Sequence, residues 1–148
     1  MAKKPRILFF SGNGPCRAQM AEGFVRYLAG DMVRVETAGS ADSALDTYGA
    51  WAMNEAGIDI SLLEMGPLDS KDIHSFSHIV ALGDEASPPP EVPTDRVRID
   101  RWKVPDPSVV RARPLERIQA YRVVRNDIER RVKRLLSEAL GRTSREQP

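Results

Sequence analysis

The run Ser11-Gly12-Asn13-Gly14-Pro15-Cys16-Arg17 gathers the groups in this chain best suited to holding an anion. Glycine, asparagine and proline turn the backbone tightly, and a helical pattern begins straight afterwards. Successive backbone N–H groups and the positive end of the helix dipole then converge on one point, which is an anion nest. Arg17, in the first helical turn, can add a bidentate clamp on two oxygens of a tetrahedral anion. The bland alternative is a plain strand–helix connection. A nucleotide P-loop is excluded, because no Gly-Lys-Ser/Thr closes the run, and no Gly-x-Gly-x-x-Gly occurs.

Cys16 is the only cysteine among 148 residues. Beside Arg17 and a helix start its pKa is expected to fall, which makes it a candidate nucleophile. The competing reading is a small buried thiol packed on the sheet, with its sulfur off the axis of the anion. His74 and His78 are the only histidines. With one cysteine they form no metal-ligand set, so neither metal nor cofactor is expected. Asp106 stands between Pro105 and Pro107, which stiffen the loop carrying its carboxylate. Tyr48, Trp51 and Trp102 could line a site, although aromatic residues at such spacings also build cores.

The elements that must position these residues follow from hydrophobic patterning. Ile7 to Phe10 is a continuous apolar run, as in a strand buried on both faces. Met20, Phe24, Tyr27 and Leu28 share one helical face, and Gly30 is placed to end that helix. A strand is predicted over Met32–Ala38, a helix over Thr47–Ala56 stopped by Gly57, and strands over Ser77–Leu82 and Val97–Trp102. The proline-rich stretch 87–93 reads as a surface loop. From Pro114, the residues Leu115, Ile118, Tyr121, Val124, Ile128, Val132, Leu135 and Ala139 make one stripe of a long amphipathic helix. Strands alternating with helices predict one α/β domain over 1–148, with four parallel strands and helices on both faces. Residues 1–5 and 142–148 are expected to fray. Ligands of such sheets bind beyond the carboxyl ends of the strands, where Ser11 falls.

Bulk properties narrow the functional classes. Hydrophobic residues make up 41% and charged residues 29%, the balance of a soluble globular chain. No apolar run suits a membrane span or secretory signal, and a lone cysteine fits a reducing compartment, so the cytoplasm is expected. Residues 1–95 carry 7 basic and 14 acidic side chains, whereas 96–148 carry 15 basic and 7 acidic. A basic half can serve nucleic acid or an acidic partner through the last helix. Without interleaved aromatics or a nucleic-acid motif, a solvated helix face is the simpler reading.

Several segments together carry a family likeness. Residues 7–24, Ile-Leu-Phe-Phe-Ser-Gly-Asn-Gly-Pro-Cys-Arg-Ala-Gln-Met-Ala-Glu-Gly-Phe, resemble the signature of low-molecular-weight tyrosine phosphatases and the arsenate reductases that share their fold. Gln19 to Phe24, Thr37 to Ser40, Met53 to Asp59 and Arg125 to Arg130 are similar to the arsenate reductase branch. Trp102 to Pro107 resembles the loop that supplies a general-acid aspartate, which implies that role for Asp106. The resemblance runs over 6–140 and implies a nucleophilic cysteine at the strand end, five loop residues, then the arginine.

This chain departs from that signature. With Arg17 as the arginine, Ser11 occupies the position of the nucleophilic cysteine, and Cys16 matches a second cysteine that many members carry. Gly14 falls where the loop asparagine is expected, with Asn13 one place earlier. Around Leu82-Gly83-Asp84 the redox cysteine of thioredoxin-coupled reductases is missing. A serine hydroxyl is far less acidic than a thiol and needs an adjacent base. The expectation is therefore an oxyanion binder without the usual thiolate chemistry. Its ligand would be phosphate, arsenate, sulfate or a phosphorylated group, held by Ser11, Gly12, Asn13, Gly14, Pro15, Cys16 and Arg17. Ser11, Arg17 and Asp106 are the family-equivalent catalytic positions. The alternative is an arsenate reductase or phosphatase working through Cys16 or an external thiol.

Overall fold

The computed structural model describes residues 4–11, 16–39, 46–67, 72–83 and 97–141. Four parallel strands form one sheet: β1 (Arg6–Ser11), β2 (Arg34–Gly39), β3 (His78–Leu82) and β4 (Arg98–Trp102). Their spatial order is β2-β1-β3-β4. Helix α1 (Cys16–Ala29) connects β1 to β2, α2 (Thr47–Glu55) lies between β2 and β3, and α3 (Pro114–Ala139) follows β4.

The continuous apolar run of β1 is explained by its central place. Strand side chains alternate between faces, so Ile7 and Phe9 enter one core while Leu8 and Phe10 enter the other. The first core also takes Met20, Phe24, Val25, Met53, Tyr121, Val124, Ile128 and Val132, so α1, α2 and α3 all pack there. The second core is built from Leu8, Phe10, Ile79, Ala81, Phe76 and Val97. Among the described residues its cover includes the 3-10 helix Ile73–Ser75, whose Ile73 packs on this core. The predicted loop 87–93 and the tail 142–148 lie outside the described residues.

Boundaries moved where local turns intervened. Met32 belongs to a 3-10 turn, Gly30–Met32, so β2 starts at Arg34. Gly30 ends α1 at a φ of 56°, a left-handed conformation that favours glycine. The predicted stripe of α3 begins too early. Leu115 is 79% exposed, and the buried series runs from Tyr121 to Leu136. The first turn and a half of α3 extends past the neighbours that would cover it.

Candidate functional site

The parallel register sets Ser11 at the carboxyl end of β1, opposite Gly39 on one side and Leu82 on the other. Because β1 feeds β2 on one side and borders β3 on the other, this end is the switch point of the sheet, where α/β folds bind ligands. Ser11 is buried, and so are Cys16 and Arg17 at the first turn of α1. Gly12, Asn13, Gly14 and Pro15 lie outside the described residues. The flanking strand end and helix start therefore define the site.

Arg17 is anchored from across the sheet. Its Nη1 donates to the carbonyl of Val104 at 2.8 Å, and its Nη2 lies 4.0 Å from Asp106 Oδ2. Asp106 is itself oriented: its Oδ1 accepts from the Ser108 backbone N–H at 2.9 Å and from the Ser108 hydroxyl at 2.7 Å. That leaves Oδ2 directed toward the guanidinium. The loop after β4 thus delivers a carboxylate to the start of α1, and Ser11, Cys16, Arg17 and Asp106 are brought to one end of the sheet.

A further pair of residues joins this end that sequence reasoning missed. The Asp46 carboxylate caps α2, with Oδ1 accepting from the N–H groups of Tyr48 and Gly49. Its Oδ2 accepts from the Tyr121 hydroxyl at 2.6 Å. Tyr48 stacks on Tyr121 with ring centroids 5.5 Å apart, and the Arg117 guanidinium lies over Tyr48. The start of α2 presses on Cys16: a Cβ added at Gly49 would stand 2.6 Å from Cys16 Sγ. An aspartate just before a helix signals a cap, but nothing local tells which residue of α3 it meets.

These neighbours decide the state of the thiol. Burial pushes the Cys16 pKa far up, the Asp46 and Asp106 carboxylates push it further, and only Arg17 pulls it down. The expected depression by Arg17 is outweighed, because desolvation of a thiolate costs more than that one neighbouring charge returns. Tyr121 is likewise held protonated, by burial first and then by its hydrogen bond to Asp46.

Histidine offers no base here. His78 opens β3 and pairs with Ile7, whereas Ser11 pairs with Leu82 at the far end of that strand. Four residues of strand separate the two levels by roughly 13 Å. His74 lies in the turn before β3. Of the aromatic candidates, Tyr48 borders the site. Trp102 is core, packed against Phe9 at 5.6 Å, and Trp51 is exposed beneath Arg122. Among the described residues, no group of three His, Cys, Asp or Glu side chains could hold a metal, and no helix is long and apolar enough to cross a membrane.

The family model for low molecular weight phosphotyrosine protein phosphatases matches residues 6–146. The chain belongs to that family. Within it, the chain is 34% identical to the arsenate reductase of Bacillus licheniformis over 135 residues, 90% of this chain and 96% of that protein. It is 28% identical to the glutaredoxin arsenate reductase of a Synechocystis species over 134 residues, 90% of this chain and 97% of that one. Among solved structures, an arsenate reductase in the phosphate binding state superposes with a TM-score of 0.77 at 26% identity. That match covers 91% of this chain and 98% of the other. The family's four parallel strands and their order are those described above.

Proposed function

We propose that this family member binds a tetrahedral oxyanion at Ser11–Arg17 and does not turn it over through a thiolate. The ligand is phosphate, arsenate or sulfate, or the phosphorylated group of a larger molecule. The observation that carries the reading is the pairing of Ser11 at the strand end with a Cys16 thiol held protonated by burial, Asp46 and Asp106. Arg17, anchored on Val104, supports the binding half. The serine hydroxyl can donate to a bound anion without the charge repulsion of a thiolate. The similar structure in a phosphate binding state supports the same ligand class.

The relatives named as arsenate reductases support a second reading, catalysis through Cys16 or an external thiol. That route requires the Cys16 thiolate, which its surroundings oppose. The arginines of α3 support an intramolecular role over nucleic-acid binding. Arg122 and Arg125 pair with Glu55, and Arg130 and Arg131 pair with Asp127.

The test is a phosphate and arsenate titration followed by activity assays on the pure chain. Saturable binding is expected, with p-nitrophenyl phosphate hydrolysis and thiol-coupled arsenate reduction at background. Ser11→Cys should create turnover, since it returns a nucleophilic thiol to the strand end where the family carries one. Turnover in the unaltered chain that Cys16→Ser abolishes would overturn the proposal, as would failure to bind either anion.

A further inference from the structure

A cavity of about 710 Å³ lies at the opposite end of the sheet from Ser11. Its walls come from the starts of three adjacent strands. Lys4 and Arg6 lead into β1, Arg34 opens β2, and Ser77 and His78 lead into β3. No acidic side chain is among its described lining residues.

The charges here are arranged at a cost. Arg6 and Arg34 are directly paired across β1 and β2. Like charges in that relation repel. Glu36 relieves the repulsion in part, through an ion pair with Arg6 at 3.2 Å. Arg6 also lies over the Phe76 ring at 5.4 Å, and its Nε is buried with no hydrogen-bond partner. Among the described residues, Lys4 and Arg34 form no ion pair or side-chain hydrogen bond, in contrast to the paired arginines of α3. Burial and Arg98 hold the His78 imidazole below its usual pKa. Its Nδ1 lies 2.9 Å from the Ser77 hydroxyl.

We propose that this amino-edge cavity is a second anion site, for a small polyanion carrying a diphosphate group. Lys4, Arg6 and Arg34, spread along the ends of two strands, can engage phosphoryl oxygens at both ends of a diphosphate. The volume lies within the range of small-molecule sites. Arginine forks match phosphoryl oxygens, and a bound diphosphate would offset the Arg6–Arg34 repulsion that Glu36 leaves unbalanced. The site is independent of the oxyanion reading at Ser11–Arg17, since β1 separates the two along its whole length.

The experiment is a titration of the full chain with inorganic pyrophosphate, followed by backbone amide NMR. Saturable shifts are expected at Lys4, Arg6, Arg34, Ser77 and His78, weakening as salt is raised. The exposed-site variants Arg34→Gln and Lys4→Gln, combined, should weaken pyrophosphate by about tenfold or more, the loss of one charge-assisted bond. The orthophosphate response at Ser11 and Arg17 should not change in that variant. ADP is the second arm: additional shifts reaching Ala139 assign a nucleotide, and identical shifts assign the bare diphosphate. The proposal is overturned if pyrophosphate perturbs only Ser11, Arg17 and Asp106. It is equally overturned if the edge residues shift without saturating, or if the double variant binds as tightly as the unaltered chain.

Discussion

Tyr121 and Asp46 stand 75 residues apart in the chain and meet through a hydrogen bond of 2.6 Å between phenol and carboxylate. The bond joins the first third of α3 to the cap of α2, and through α2 to the cysteine at the start of α1. Three helices are thus locked behind the strand end that carries Ser11.

Removing the phenol hydroxyl isolates that lock. Tyr121→Phe should keep the ring stacked on Tyr48 but leave Asp46 Oδ2 without its donor. A hydrogen bond to a charged group is worth about 2 kcal/mol, so the urea midpoint should fall correspondingly. An unchanged midpoint would mean that water replaces the phenol at no cost.

Gly49 tests the contact between α2 and the cysteine. An alanine there would set Cβ 2.6 Å from Cys16 Sγ, too close without movement. Overpacking of this kind costs about 1–3 kcal/mol. The double variant Gly49→Ala with Cys16→Ala should recover part of that loss in thermal unfolding. Strict additivity of the two single effects would show that the contact is not the cause.

The buried thiol makes stability depend on alkaline pH. Cys16 has a folded pKa raised above its unfolded value, so its contribution is fully present below ~8.5 and is lost as pH rises further. The urea midpoint should decline above that pH, and Cys16→Ala should flatten the decline. Iodoacetamide at neutral pH should modify Cys16 far more slowly than the same residue in urea-unfolded chain. Equal rates would indicate an accessible thiolate.

Glu55 works on the acid side. Hydrogen bonding from Arg122, with help from Arg125, lowers its carboxyl pKa. A depressed folded pKa gives stability that is present above the unfolded value and is lost as pH falls through the folded one. Glu55→Gln should remove a small part of the acid-side decline, read from urea midpoints between neutral pH and pH ~3. The effect should shrink at high salt.

Much of the frame was legible because it is written in local periodicity. A short apolar run with no polar face, Ile7 to Phe10, followed at once by turn formers, reads as a strand covered on both sides, and Gly30 and Gly57 mark helix ends by their backbone freedom. The order Ser11, turn formers, Cys16, Arg17 implied a strand-to-helix anion turn. Leu115 misled because a stripe records which side faces inward, not how far the neighbours extend.

The site divides along the same line. Sequence alone determined which side chains stand at the strand end and helix start, because their order along one short segment leaves little freedom. It also determined that Ser11 lies five loop residues before Arg17. Tertiary structure decided what those groups can do. Only packing brings Val104 and Asp106 to Arg17, or Asp46 and Tyr121 behind Cys16. Only packing removes the thiol from water, and with it the thiolate that the neighbouring arginine would otherwise favour. Adjacency in sequence sets one favourable charge beside Cys16. Burial and two distant carboxylates, visible only in three dimensions, outweigh it.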